Sequence, residues 1–472
     1  MCKLSRERIV EMTVEMRDYA MKTILGDTLT PVSIFNALQG EHKVLLESNA
    51  KYEESGRYSF IAANPVAELK GGESSCLFRM GKETTEQDVS VIDKLKSCLP
   101  VRSEAYPFAF FGGAIGYFGY ETAFHFEKIG EVMNDVYQMP DVHVFFYDTF
   151  IVIDHLRQAV TIAAIDLFQT GKTVQELEEA VKLIEEQLCR SQPQSIEEPP
   201  SISFSPTIKK ERFIGMVETA KEHIKKGDIF QVVLSQTFEA EFSGNPFGLY
   251  RKLRANNPSP YMFYMEFGSY TILGTSPESL VKVKDGVVTT NPIAGTKPRG
   301  KTPQEDEAIA QALLYDEKEI AEHKMLVDLG RNDIGRVSKI GSVQVSKYMA
   351  IERYKYVMHI VSEVVGELRD DRHATDVLVA SLPAGTVSGA PKIRAMQIIN
   401  ALEQKKRGVY AGAIGYISAS GDMDLALAIR TMIVKDNKAY VQAGAGIVHD
   451  SIPESEYEET LNKARALLEV RK

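Results

Sequence analysis

Two periods of apolar and polar positions alternate along the chain. Apolar residues recur at helical spacing in TVQELEEAVKLIEEQL (173–188), KERFIGMVETAKEHIKKGD (210–228) and FGLYRKLRAN (247–256), which predicts amphipathic helices. A single long helix is predicted over 303–330. Between and around these lie runs rich in β-branched and aromatic residues: VHVFFYDTFIVID (142–154), IFQVVLSQTFEAEF (229–242), YMFYMEF (261–267), YTILGTS (270–276), ESLVKVK (278–284) and VVTTNPIAGT (287–296). Strands that follow one another through short turns predict antiparallel pairing, with helices packed outside in an α+β fold.

The pattern lapses at RSQPQSIEEPPSISFSP (190–206), where prolines and serines replace apolar periodicity. This predicts a linker over 191–206, dividing an N-terminal part (1–190) from a C-terminal part (207–472). The string GAIGY occurs at 113–117 and again at 412–416, which reads as a duplicated sheet element.

With 44% apolar residues in 472, the chain fills two ordinary domains or one large composite one. A net charge of −10 and a pI near 5.6 argue against general binding to nucleic acid or anionic membranes. An anionic substrate therefore needs local cationic groups. Cysteines 2, 76, 98 and 189 lack metal-ligand spacing and fit a reducing compartment. MCKLSRERIVEMTVEM has no signal-peptide apolar region, and no run reaches membrane-span length, so a cytoplasmic location is expected.

Candidate chemistry gathers near the C-terminus. In PESEYEETLNKA (453–464), Glu456, Glu459 and Lys463 fall at i, i+3 and i+7, on one helix face. Just before it, Gly444 and Gly446 in QAGAGIVHD leave backbone amides open to anionic oxygens. A second acidic tract, DEKEIAEHKMLVDLGRND (316–333), repeats the spacing with Glu319 and Glu322. Each tract alone reads as a solvated helix face, whereas two together can share one divalent cation.

These tracts, with PIAGT (292–296) and LPAGTVSGAPKIRAM (382–396), resemble the chorismate-utilising enzymes, most closely the large subunits of anthranilate synthases. The motifs run in family order over most of 210–470, with weaker echoes in LLESN (45–49) and RYSF (57–60). The resemblance implies two large, roughly orthogonal antiparallel β-sheets flanked by helices, to which both halves contribute. It implies chorismate as substrate and Mg2+ as cofactor, with Glu322 and Glu459 as direct ligands and Glu319 and Glu456 orienting metal-bound water. Arg430, Tyr410, Lys463 and the backbone of Gly444 and Gly446 would cradle substrate carboxylates, with Gly295, Thr296 and Thr386 adding polar groups. Arg430 interrupts the strand-like run LALAIRTM, where a buried guanidinium needs an anion; a structural salt bridge is the plainer reading. Glu278 in GTSPES takes the general-acid position, and His359 in YVMHIVSEV assists the departure of pyruvate. On sequence pattern alone they read as a turn residue and a core histidine.

Two positions distinguish relatives. Gln231 stands where water-adding members carry an activating lysine, and Ala294 where aminodeoxychorismate synthases commonly carry a nucleophilic one. The resemblance then implies external ammonia as nucleophile, attack at C2 with loss of the C4 hydroxyl, and elimination of pyruvate to give anthranilate. None of the cysteines sits in a GxCxG-type nucleophile elbow, so a separate glutamine amidotransferase subunit is implied. Glu47, Ser48, Pro260, Tyr261 and Met262 match segments that line a site for L-tryptophan as inhibitor. The alternatives are an aminodeoxychorismate synthase large subunit and a non-catalytic tryptophan sensor. A magnesium-dependent phosphotransferase lacks a Walker A string.

Overall fold

Strands from both halves of the chain pair within two twelve-stranded sheets, each a path of eleven with one more alongside, Gly389–Ala390 on Gln231–Glu241 in the first and Gln344–Arg353 on Val357–Glu367 in the second. The computed structural model describes residues 19–48, 56–99, 106–131, 134–190, 202–354 and 357–468. Cys2 and the rest of the N-terminal stretch, Asn49 of LLESN, and linker residues 191–201 lie outside the described residues. The first sheet runs Tyr19–Leu25, Ala159–Ile165, Thr149–Asp154, Tyr58–Ala62, Val44–Glu47, Tyr261–Glu266, Tyr270–Ser276, Thr431–Lys435, Lys438–Ile447, Gln231–Glu241 and Ser205–Pro206. The second runs Ile293–Pro298, Val357–Glu367, Val287–Thr290, Ser279–Lys284, Met423–Leu427, Ala413–Ser418, Gly113–Phe118, Val142–Tyr147, Ala67–Gly71, Cys76–Met80 and Glu83–Gln87. Their pairings are antiparallel throughout, as the hairpin succession predicts.

Strand alternation divides the apolar side chains between two cores. From Tyr261–Glu266, Phe263 and Met265 enter the core between the sheets, beside Phe146, Phe150 and Ile115. Met262 and Tyr264 point the other way, under the helices Val174–Cys189 and Pro246–Asn256. The two GAIGY strings lie on neighbouring strands and pair about Gly116 and Gly415.

The expected helix over 303–330 is two helices, Pro303–Leu314 and Glu317–Gly335. Asp316 breaks it: its carboxylate accepts the Glu319 amide at 3.3 Å and starts a new helix. LALAIRTM is likewise not one strand. Met423–Leu427 belongs to the second sheet and Thr431–Lys435 to the first, so the chain changes sheets at residues 428–430. It makes the same passage through Pro277 and Glu278, between Tyr270–Ser276 and Ser279–Lys284. The two crossings are laced together, Leu427 N–H donating to Glu278 O at 3.0 Å and Thr275 N–H to Arg430 O at 3.1 Å. Among the described residues no helix is long and apolar enough to cross a membrane.

Candidate active site

Glu278 and Arg430 sit on these adjoining corners, and the remaining site residues surround them. Arg430 holds a φ of 49°, the left-handed region, where a non-glycine residue persists only if its surroundings over-determine it. It is exposed, not buried as the apolar run LALAI suggests, because it tops a corner instead of filling a strand. Its charge bears on both Glu278 and His359. Thr386 Oγ1 donates to Glu278 Oε1 at 2.7 Å. Burial pushes the Glu278 carboxyl up to about 7, against the opposing pull of Thr386, Lys463 and Arg430.

His359 lies across the strand pair from Thr296, at a bulge that leaves Gly295 unpaired between Ala294 and Thr296. Nδ1 is 3.1 Å from both Gly295 O and Thr296 Oγ1. A carbonyl only accepts, so Nδ1 carries the hydrogen and Nε2 keeps its lone pair. Burial lowers the ring's pKa and Arg430 adds to it, while Gly295 opposes, so the imidazole is held neutral. His143 shares the apolar flanking, in VHVFF, yet it is a core histidine bonded to Glu68 and Tyr270.

Gly444 and Gly446 face Ser235 and Val233 on the neighbouring strand. A Cβ at Gly444 would come within 2.8 Å of Tyr410 Oη and 2.9 Å of Leu234 O, so that position requires glycine, whereas one at Gly446 would meet Gln231 Nε2 at 3.0 Å, the movable end of a side chain. Lys463 Nζ donates to Gly444 O at 3.0 Å and pairs with Glu459 Oε1 at 2.7 Å. Gln231 Nε2 donates to Glu322 Oε1 at 3.4 Å, linking that strand to the helix Glu317–Gly335.

Glu319, Glu322, Glu456 and Glu459 are all half-buried. The Glu319 carboxyl is pushed up by burial, then by Glu322 and Asp316. Glu456 is pushed up by burial and by Glu459, against a hydrogen bond from Ser451. Lys318 acts on both Glu319 and Glu456, which places the acidic turns of the two helices near each other. Among the described residues no three acid, histidine or cysteine side chains close around a point by themselves. Four crowded carboxylates of this kind suit a divalent cation that takes its other oxygens from substrate and water.

Two structural pairs went unread in the sequence. Arg407, 1% exposed, bonds to Glu403, Val233 O and Val387 O, and its guanidinium lies 5.6 Å from the Tyr410 ring centroid. Burial raises the Tyr410 hydroxyl to about 12, with Arg407 pulling it down. Lys392 pairs with Asp333 at 2.7 Å, tying the GAPK turn to the helix Glu317–Gly335. KKRGV and GAPKI carry these cations, but their burial, which marks them, is invisible in a sequence.

The five residues matched to a tryptophan site lie elsewhere on the first sheet. Glu47 pairs in register with Met262, and its carboxylate accepts from Tyr250 Oη and from Arg254 Nη2 at 2.7 Å. Ser59 of RYSF bonds to His155, which feels the charge of Glu47. Tyr261 faces the other way and donates to Asp424 Oδ1 at 3.0 Å. Ser48 follows the end of its strand, and Pro260 precedes the strand Tyr261–Glu266; both are half-buried.

This arrangement defines a chorismate-binding fold with its polar centre at a sheet crossing, and the chain belongs to the chorismate binding enzyme family, whose model matches residues 41–469. Within that family it is similar to anthranilate synthase component 1 of Lactococcus lactis, 46% identical over 95% of this chain and 99% of the relative. The component 1 of Aquifex aeolicus is 45% identical over 94% of this chain and 92% of its own. The crystal structure of anthranilate synthase component I from Streptococcus pneumoniae superposes with a TM-score of 0.82 at 48% identity, covering 95% of this chain and 99% of that one. The menaquinone-specific isochorismate synthase of Escherichia coli shares the fold, with a TM-score of 0.73 at 19% identity over 97% of each chain.

Proposed function

We propose that this chain is the chorismate-aminating subunit of an anthranilate synthase, converting chorismate and ammonia to anthranilate, pyruvate and water. The observation that carries this reading is the Glu278–Thr386 pair, a carboxyl held near neutrality at the sheet crossing between Arg430 and Lys463. Thr386 fixes one oxygen of Glu278, so the protonated oxygen is free to face the C4 hydroxyl. As ammonia joins C2, the ring double bonds shift, the C4–O bond breaks, and the Glu278 proton leaves with the oxygen as water. His359 Nε2 then takes the C2 proton, the electrons left behind break the C3–O bond, and the departing enolate takes up a proton to become pyruvate. Arg430, Tyr410, Lys463 and the amides beside Gly444 and Gly446 hold the substrate carboxylates.

Glu322 and Glu459 would hold magnesium directly, with Glu319 and Glu456 positioning its waters. When bound, magnesium neutralises substrate carboxylate charge and fixes its place. Gln231 is a neutral amide and Ala294 a methyl, so neither serves as base or nucleophile. Ammonia is then delivered by a separate glutamine amidotransferase subunit. A cytoplasmic setting fits the free thiols of Cys76, Cys98 and Cys189.

Tryptophan is proposed as the feedback inhibitor, at the segments holding Glu47, Ser48, Pro260, Tyr261 and Met262, where Arg254, His155 and Ser59 add polar groups around Glu47. Arg254 already occupies Glu47, so an incoming ammonium has to share that carboxylate.

The test is incubation of the purified chain with chorismate, magnesium and isotopically labelled ammonium at mildly alkaline pH. The ortho isomer, identified by mass and fluorescence, is expected; the para isomer would assign the chain to the aminodeoxychorismate reaction instead.

A further inference from the structure

On the side of Glu278 and Thr386 facing the acidic helix lies a separate chamber. It is walled by Leu326, Gly330 and Asp333 of the helix Glu317–Gly335, by Thr290 and Asn291, and by Ser381 of the turn leading to Thr386. None of Thr296, His359, Arg430, Gly444 and Lys463 borders it, so it adjoins the substrate cradle without being part of it. Its volume of about 40 Å³ has room for two or three waters, at roughly 10–15 Å³ each. The wall is too polar to stay dry: Ser381 is 4% exposed and its hydroxyl has no hydrogen-bond partner. Asp333, opposite, gives an oxygen to Lys392 at 2.7 Å. Several of its wall residues, among them Leu329 and Asn291, are only half-buried.

The reaction creates a need for such a place. Each turnover strips Glu278 of a proton, which departs in the water formed from the C4 hydroxyl, while the new C2 ammonium gives one up. Glu278 therefore has to regain a proton before the next turnover.

We propose that this chamber is the proton-return route of Glu278, a short chain of waters held by Ser381 and Asp333 that links its carboxyl to solvent. The inference rests on the reading of Glu278 as the general acid. The charged groups around the path are Lys463 and Arg430 on the substrate side, and Asp333 with Lys392 and Arg336 on the chamber side. No group there other than Glu278 and the waters needs to change charge.

Ser381→Val removes the hydroxyl and fills the space with methyl groups. Glu278 begins protonated, so the first turnover is expected to run at the wild-type rate. Later ones are expected to be slowed by about tenfold. Rapid-quench measurement of anthranilate then shows a burst of one equivalent per site, followed by a slow phase that slows further in deuterium oxide. A first turnover slowed as much as the rest, or no slow phase at all, overturns the proposal. If the bulkier variant does not fold, Ser381→Ala is read by the same burst and isotope measurements, where a wild-type time course would overturn it. Failure of the wild-type chain to make anthranilate would instead strike at the underlying function.

Discussion

Glu278 shows how strongly its surroundings set one carboxyl's hold on a proton. A free glutamate titrates near about 4.3, whereas burial moves this one to about 7. The sign of the linkage follows: the raised folded value means its contribution to stability is fully present below about 4.3 and is lost as pH rises through about 7. The acid form is lost over the same upper range, while the fraction of free ammonia grows. Rates expressed per free ammonia are therefore expected to fall as pH rises through about 7. Glu278→Gln is expected to remove that limb together with about a hundredfold of the rate. A glutamine variant retaining both the limb and half the activity would exclude the general-acid role. Glu322→Gln and Glu459→Gln each delete a negative ligand, and a cost of about 3 kcal/mol, roughly a hundredfold in turnover, is expected. Magnesium titrations giving near-normal rates in both would take these residues out of the site. The identities of these carboxylates were legible in their spacing and motifs. Their electrostatic state was not, because it depends on what the fold packs around them.

Elements set the geometry, and here sequence and structure part in instructive ways. Period-two alternation gave the strands and their antiparallel hairpins, since a half-buried strand advertises both faces. It did not show that LALAIRTM turns a corner between sheets, because both sides of that corner are apolar and the one cation reads as an interruption. The helix over 303–330 was overextended for a similar reason. Asp316 is one acid among many in that tract, and only its capping bond marks it as a boundary. Arg407 is the clearest case of an element held by a single side chain, joining Gln231–Glu241, the turn at Val387 and the helix Lys392–Glu403. Arg407→Met would strip the buried Glu403 carboxylate of its ion-pair partner, leaving it the two hydrogen bonds from Ser235, and a loss of about 3–5 kcal/mol is expected. Chemical denaturation measures this directly; a midpoint within error of wild type would show that the buried pair does not hold the site together.

Across the whole molecule, two sheets built from both halves of the chain join the Glu47 region to Glu278 through shared strands. Glu47 pairs with the strand holding Met262, whose neighbour Tyr270–Ser276 runs on into Glu278. A ligand at one end is thus one hairpin from the other. Millimolar tryptophan is expected to inhibit the wild-type chain, and Ser48→Phe to relieve inhibition by setting a bulky ring next to Glu47 while sparing uninhibited turnover. Tryptophan has only to favour a less active state, and a tenfold preference is about 1.4 kcal/mol of coupling. By reciprocity chorismate should weaken tryptophan binding in calorimetry; equal inhibition of Ser48→Phe and wild type would refute the site. On the proposed function, the carbon chemistry is complete in this chain and the nitrogen comes from outside it. The most direct measurement of this is steady-state anthranilate formation by the purified chain with chorismate and magnesium, supplied in parallel with an ammonium salt and with glutamine. Turnover with ammonium alone is the expected result, and glutamine-dependent turnover, or none with either donor, would contradict it.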